Sequence, residues 1–168
     1  MKTGTRTSLG LGALGISLVT TATVLPAGAT SPTPAPIAVD MLTPRSAFTD
    51  DVSLRLKVRS DHGTSTVRLR DPSLTAVARI TVQPGARFPL HRHPGPVFVN
   101  VAQGEITYVG EHCEKRVYPV GTAFVDTGTD VHSAYGSGSK PTILIATFLG
   151  APAKGPLTIP EAVQTTCD

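Results

Sequence analysis

Apolar and polar residues alternate with a period of two through much of this chain, and turn-forming residues recur about every ten positions. Residues 52–58 alternate in this way, and residues 76–82 do so again. The 16 glycines and 15 prolines are many for a helical bundle and ordinary for an all-β domain with many turns. The pattern predicts one sandwich or barrel without an internal repeat, with a single short helix over residues 159–166.

The first 29 residues have the three parts of a secretory signal peptide. Lys2 and Arg6 give a positive start, residues 9–25 form an apolar run, and the sequence that ends at Ala29 offers a cleavage site. A membrane anchor is disfavoured because the run is short and holds three glycines and four Ser/Thr residues. Residues 1–29 are therefore expected to be removed, and the mature protein is expected to be secreted to the extracellular space.

Two further segments follow the expected cleavage site. Residues 30–39 are rich in proline and are typical of an extended linker, so the folded domain is expected over residues 40–168. The chain has 15 basic and 12 acidic residues, and removal of Lys2 and Arg6 leaves 13 against 12. Because no basic cluster stands out along the sequence, we expect no nucleic-acid partner.

Cys113 and Cys167 are the only two cysteines. An even pair in an exported chain normally forms a disulfide, and this one would close a loop of about 55 residues. In the chain-entropy model such a bond stabilises the fold by about 4 kcal/mol. The alternative is a metal site made by Cys113 and the adjacent His112, which would need a thiolate to survive outside the cell. The sequence favours the disulfide.

The pattern with the most chemical content is a pair of histidines in an extended segment. His91 and His93 stand two residues apart, so their imidazoles project from the same face of the strand. A third histidine, His132, lies just before another predicted strand. Three histidines facing into a barrel would make a metal site with open positions for water or substrate. The alternative is that they are a polar lining of the barrel, held by hydrogen bonds.

These residues resemble the first motif of the cupin superfamily, G-x5-H-x-H-x3–4-E-x6-G. Gly85, His91, His93 and Gly104 match it at the required spacing, and Val97 takes the place of the glutamate. The resemblance covers about residues 74–150 of the chain. It implies a single cupin-type antiparallel β-barrel, the fold also called a double-stranded β-helix or jelly roll.

The second cupin motif, G-x5-P-x-G-x2-H-x3-N, is matched weakly. His132 fits and Gly121 lies near the leading glycine, but Thr127, Thr129 and Gly136 replace the proline, the second glycine and the asparagine. The sequence H-x-H-P-G-P-V at residues 91–97, the later Phe124-Val125-Asp126 and the two cysteines are similar to small exported bacterial cupins of a single domain.

The valine at position 97 changes what the resemblance implies. In metal-binding cupins the glutamate is the fourth ligand and the only anionic one, whereas Val97 cannot bind a metal. Three-histidine cupins exist, those similar to cysteine dioxygenase among them. The resemblance therefore implies a divalent ion, Zn, Cu, Ni or Fe, held by His91, His93 and His132. Asp130 is a weak candidate for a fourth ligand, because it and Asp126 are expected to be turn residues.

Two classes of function fit this site. The first is an exported metal-dependent enzyme of the oxygenase or isomerase type that acts on a small organic molecule. The second is a non-enzymatic barrel that binds a small molecule without metal, since the strands around the motif supply no obvious general acid or base. No catalytic residue is assigned. The expected partner is a small molecule rather than a nucleic acid or, after processing, a membrane, and the sequence leaves a homodimer open.

Overall fold

The computed structural model describes residues 35–60, 63–70, 74–162 and 167, and the expected signal peptide lies outside these residues. Over the described ranges the chain forms strands and no helix, so it contains no helix that could cross a membrane. The strands are β1 (Ile37–Met41), β2 (Ser46–Ala47), β3 (Ser53–Ser60), β4 (Gly63–Arg70), β5 (Leu74–Val82), β6 (His91–Arg92), β7 (Val97–Gln103), β8 (Glu105–Val109), β9 (Lys115–Pro119), β10 (Ala123–Asp126), β11 (Ser133–Gly136), β12 (Thr142–Leu149) and β13 (Ile159–Pro160).

The strands form an antiparallel all-β architecture, as predicted. The largest sheet has the order β1-β5-β12-β7-β10, with β2 also paired to β5, and a second sheet has the order β11-β8-β9. Two smaller pairs, β13-β6 and the hairpin β3-β4, complete the set. Because long strands from distant parts of the chain pair side by side, the segments that carry the three histidines are brought to one end of the barrel.

The core lies between the two larger sheets and follows the alternation of the sequence. Every second residue of β12 is buried, from Thr142 to Phe148, and the same holds for the inward residues of β7. Ala76, Ala78 and Val82 of β5 are fully shielded from solvent, which confirms the face predicted from the sequence. The core cluster also includes Ile106 of β8, so both sheets contribute to one apolar interior.

The C-terminal segment differs from the expectation of a helix. Ile159–Pro160 form β13 and pair with β6, so the helix predicted over residues 159–166 is wrong at its start. Residues 163–166 lie outside the described residues. The backbone N–H of Glu161 also donates to the carbonyl of Leu90, 3.0 Å away. Pairing with the unfilled edge of β6 therefore overrides the weak helical preference, and Pro160 is tolerated because edge positions need no ladder donor.

The two ends of the described domain are both attached to the barrel. β1 begins at Ile37, inside the range expected for the linker, and pairs with β5. Cys113, in the turn after β8, is joined to Cys167 by a disulfide with Cα atoms 5.2 Å apart. This bond excludes Cys113 as a metal ligand and ties the C-terminal end of the chain to the turn between β8 and β9.

Candidate metal centre

Backbone pairing fixes the three histidines beside each other. The N–H of His91 donates to the carbonyl of His132, and the N–H of His132 donates back to the carbonyl of His91, both at 2.9 Å. His93 donates its backbone N–H to the carbonyl of Gly128, also at 2.9 Å. The residue between the two ligand candidates, Arg92, is exposed, whereas His91 is only 5% exposed. The His-x-His spacing thus places both imidazoles on the inner face, as predicted.

Gly128 permits this close approach of two loops. Its φ is +91°, and a Cβ atom there would lie 2.4 Å from the carbonyl oxygen of Gly95. Both the left-handed backbone and the contact are available only to glycine. The segment that leads to His132 is therefore packed directly against the segment that follows His93.

All three imidazoles use Nδ1 in the same way. Each Nδ1 lies at hydrogen-bond distance from a backbone carbonyl, which can only accept, so Nδ1 carries the proton and Nε2 keeps its lone pair. The pairs are His91 with Pro89 at 2.7 Å, His93 with Leu157 at 2.7 Å and His132 with Asp130 at 3.1 Å. Metal-ligating histidines are typically held in this way, because a hydrogen bond from the other ring nitrogen fixes both the tautomer and the ring orientation.

The rings converge on one another. One potential ligand atom from each of His91, His93 and His132 lies within 4.8 Å of the other two. The ring centroids are 4.2 Å apart for His91 and His132, 4.9 Å for His91 and His93, and 5.3 Å for His93 and His132. A tetrahedral ion with Zn–N bonds of about 2.0–2.1 Å places its nitrogens about 3.4 Å apart. Small rotations of the side chains would bring these nitrogens to that spacing.

A buried carboxylate stands behind His132. Oδ1 of Asp126 accepts from the backbone N–H of Gly128 at 2.6 Å, and Oδ2 lies 2.9 Å from His132 Nδ1. That nitrogen directs its N–H to the Asp130 carbonyl, so Oδ2 receives no well-aligned hydrogen bond from any described residue. Asp126 is 3% exposed. The sequence indicated only a turn residue at Asp126. The contact with His132 could not be predicted, because no local sequence signal shows which side chain an aspartate at the end of a strand will contact.

The histidines open into a small cavity of about 80 Å³ with mostly apolar walls. Besides the histidines, Asp126 and Tyr108 are the titratable residues that line it. The Tyr108 ring is stacked on that of His132, with centroids 4.9 Å apart. The remaining wall is formed by Ile80, Phe88, Val97, Val99, Phe124, Ala134, Leu144, Ala146, Phe148 and Thr158.

A larger cavity of about 520 Å³ adjoins the first on the side of the β3-β4 hairpin. Tyr108 and Phe124 line both spaces, so these two rings form the partition between them. The outer cavity is bordered by polar residues of the turn between β8 and β9, including Glu111, His112 and Glu114.

Residues 78–148 match the family model described as the cupin domain. This chain carries a cupin domain. None of the curated proteins compared with this sequence matches it significantly.

Solved structures to which this chain is similar include a double-stranded β-helix protein from Klebsiella pneumoniae, 23% identical over 48% of this chain and 70% of that chain, with a TM-score of 0.43. The Cupin_2 domain of an XRE-family transcriptional regulator from Enterobacter cloacae is 18% identical over 70% of this chain and 99% of that chain, with a TM-score of 0.47. A structure of oxalate oxidase is 21% identical over 51% of this chain and 45% of that chain, with a TM-score of 0.43.

Within this cupin domain, Val97 takes the place of the glutamate of the first motif and is buried beside the histidines. Val97 is 2% exposed and lines the inner cavity. Among the described residues, no carboxylate joins the three histidines in place of the glutamate. Asp130 is exposed, and its carboxylate oxygens accept hydrogen bonds from the hydroxyls of Thr127 at 2.7 Å and Thr129 at 3.4 Å. It is the turn residue that the sequence favoured, and it does not join the three histidines.

Burial sets the protonation state of the centre. Desolvation, with a smaller contribution from the neighbouring His132, lowers the pKa of His91 to about 4. Desolvation also lowers the pKa of His93. Both rings are therefore neutral at pH 7, which is the state that a metal ion requires of its ligands.

The two other titratable groups at the cavity are held in opposite states. Burial alone would raise the pKa of Asp126, but the close approach of His132 to its carboxylate, together with the hydrogen bond from the Gly128 N–H, outweighs burial and lowers this pKa. Burial, reinforced by the negative charge of Asp126, raises the pKa of Tyr108. At neutral pH the cavity thus has a carboxylate behind His132 and a neutral phenol stacked on it.

Proposed function

We propose that His91, His93 and His132 hold a divalent metal ion, and that the barrel presents this ion to a small organic molecule. The observation that carries the proposal is the set of three Nδ1 hydrogen bonds to backbone carbonyls. Together they leave Nε2 of each ring as the nitrogen available to a ligand, in a cluster of two buried rings and one half-buried ring whose potential ligand atoms lie within 4.8 Å of one another.

The donor set also selects the metal. Three imidazoles without a carboxylate favour Zn, Cu, Ni or Fe over the oxygen-preferring Mn and Mg. Val97 adds no charge to the site, so we expect weaker affinity than in a cupin domain that keeps the glutamate. A bound ion with three protein ligands retains open positions at which it can polarise or activate a small molecule.

The protein's own residues limit what can reach those positions. Phe88, Phe148 and the valines of β7 make most of the wall of the inner cavity, about 80 Å³, apolar, so the space beside the histidines favours a small molecule with apolar surface. Tyr108 and Phe124 line both this space and the outer cavity, so their side chains affect what passes between the two. The carbonyl of Asp130 and the carboxylate of Asp126 both lie beside His132 Nδ1 and help to orient that ring.

A specific observation keeps a non-enzymatic role as the second candidate. Asp126 is engaged with His132 and with the Gly128 N–H, and burial raises the pKa of the Tyr108 phenol, so neither group is suited to serve as a general base at neutral pH. Under this candidate the barrel captures a small ligand in its apolar interior and does not transform it.

Calorimetric titration of metal-free protein tests the proposal. Protein stripped with a chelator is titrated with Zn, Cu, Ni, Fe and Mn in turn, and we expect one site per chain with Mn the weakest. The variant His93→Ala should lose binding by at least about 100-fold, because each histidine is one of only three ligands. His112→Ala is the matched control, since His112 is exposed and remote from the cluster, and it should bind as the wild type does. Equal binding by wild type and His93→Ala would overturn the proposal.

We further propose that the mature protein is secreted and begins after Ala29. The Cys113–Cys167 disulfide supports this proposal, because such bonds persist in oxidising compartments. Amino-terminal sequencing of protein recovered from the culture medium should read from Thr30. A mature protein that retains residues 1–29 and stays with the cells would contradict it.

A further inference from the structure

The β3-β4 hairpin has two chemically different faces. Its strands pair in register from Ser53 opposite Arg70 to Ser60 opposite Gly63, so alternate residues project to opposite sides. One side is apolar and half-buried, and it borders the outer cavity through Val58. The other side is exposed and wholly polar. Its described side chains are Ser53, Arg55, Lys57, Arg59, Thr64, Thr66 and Arg68, and we call this set the basic face.

Four positive charges lie close together on the basic face. Arg55, Lys57 and Arg59 follow one another at every second position of β3, which separates them by about 6.8 Å. Arg68 of β4 lies directly opposite Arg55. None of the four pairs with a carboxylate of the described residues. The expectation that the domain has no basic cluster is therefore wrong, because intervening apolar residues hide the cluster along the chain and strand pairing assembles it.

Protection of exposed strand edges explains scattered charges on this hairpin but not their single sign. Like charges directly opposite each other in an antiparallel pair, such as Arg55 and Arg68, destabilise the sheet. The domain as a whole is almost neutral, so the charge is a local feature of one surface. A surface of this kind concentrates counter-ions and attracts polyanions.

We propose that the basic face binds a linear acidic polysaccharide. Arginine guanidinium groups match the planar or tripodal oxygens of carboxylate and sulfate with two hydrogen bonds each. Thr64 and Thr66 lie opposite Arg59 and Lys57, and Ser53 precedes Arg55 on the same face, so their hydroxyls stand beside the charges and can bond to the hydroxyl groups of sugars. The face carries no aromatic ring on which a base could stack and no apolar side chain that could enter a bilayer. Its row of charges along β3 fits an extended chain rather than a compact ion.

Fluorescence anisotropy with a labelled heparin octasaccharide tests this proposal. The wild-type domain should bind, and its affinity should fall steeply with salt. The triple variant Arg55→Gln, Lys57→Gln, Arg59→Gln should bind at least about tenfold more weakly at low salt. The slope of log affinity against log salt should fall by about three, one for each lost contact.

The matched control removes three charges from other exposed positions. Arg79→Gln, Lys140→Gln, Lys154→Gln changes the net charge equally and should keep the affinity within about twofold and the salt slope unchanged. Equal losses in both triple variants would overturn the proposal, because net charge alone would then explain binding. A further variant, Arg55→Lys, Arg59→Lys, keeps the charge and loses the guanidinium fork. It should keep the slope and bind a few-fold more weakly, so it decides the question if the glutamine variant fails to fold.

Two competing probes complete the experiment. A 20-base-pair DNA duplex and vesicles of phosphatidylglycerol are titrated under the same conditions. Weaker binding to both than to the octasaccharide supports the proposal. Equal or tighter binding to either one overturns the choice of a polysaccharide. The outcome is independent of the metal centre, because all the altered residues lie outside it.

Discussion

Replacing Val97 by glutamate should create a fourth metal ligand at a cost to the metal-free protein. Val97 is 2% exposed and lines the cavity beside His91 and His93. A carboxyl group there loses its hydration, and its pKa rises until a positive partner is supplied. The variant is therefore expected to be destabilised when the metal is absent and rescued when the metal is present.

The magnitudes can be set in advance. Loss of an apolar contact together with burial of an unpaired carboxyl should lower the free energy of unfolding by about 3 kcal/mol. For a domain of this size that corresponds to a fall in Tm of about 12 °C. We expect Val97→Glu to bind the metal at least about tenfold more tightly than the wild type does. Metal should therefore stabilise the variant by about 1.4 kcal/mol more than it stabilises the wild type, which corresponds to about 5 °C more in Tm.

Thermal unfolding with and without metal provides the assay, and Val101→Glu provides the control. Val101 is on the same strand, is likewise 2% exposed and does not line the cavity. Both variants should lose stability without metal, but only Val97→Glu should gain more from metal than the wild type gains. Its preference should also shift towards Mn or Fe, since it adds an oxygen ligand. Equal responses of the two variants would refute the placement of Val97 beside the ion.

Three further predictions follow from the contacts around the histidines. Asp126→Asn removes the charge behind His132 and should weaken metal binding by about 10- to 100-fold with unchanged circular dichroism, as titration would show. Because burial lowers the pKa of His91 to about 4, below its ordinary value of 6.5, the unfolded chain takes up a proton first as the pH falls. The free energy of unfolding of metal-free protein should therefore be constant well above pH 6.5 and drop between pH 6.5 and 4, by about 3 kcal/mol from His91 with a further loss of the same sign from His93, measured by urea titration. Gly128→Ala should lower the free energy of unfolding in urea by about 3 kcal/mol, and Gly85→Ala should lower it by about 1 kcal/mol. Gly85 also has a positive φ, but a Cβ atom there would have no other atom within 4 Å.

Local rules were sufficient for the strands and for two of the ligand candidates. Period-two alternation predicts which face of β5 and β12 is buried, and the same rule places His91 and His93 on one side of the chain. Burial of Val97 beside them follows from the spacing of the motif. These features depend on neighbours only a few residues away, so the sequence carries them directly.

Features that depend on distant contacts could not be read in the same way. The carbonyl that orients His93 belongs to Leu157, 64 residues further along, and a backbone acceptor leaves no mark in the sequence. The role of Asp126 depends on a loop that turns it towards His132. The helix expected at Ile159–Pro160 is replaced by a strand because β6 offers a partner. In each case a contact with a distant part of the chain selects one of several local conformations that are close in free energy.

X-ray absorption at the metal edge tests the central proposal most directly. The domain, stripped of metal and loaded with one equivalent of Zn, should show three imidazole nitrogens at about 2.0–2.1 Å, with oxygen completing the coordination and no sulfur. In His93→Ala the number of imidazole scatterers should fall. A spectrum with one imidazole or none, or one that does not change in His93→Ala, would contradict a metal centre formed by His91, His93 and His132.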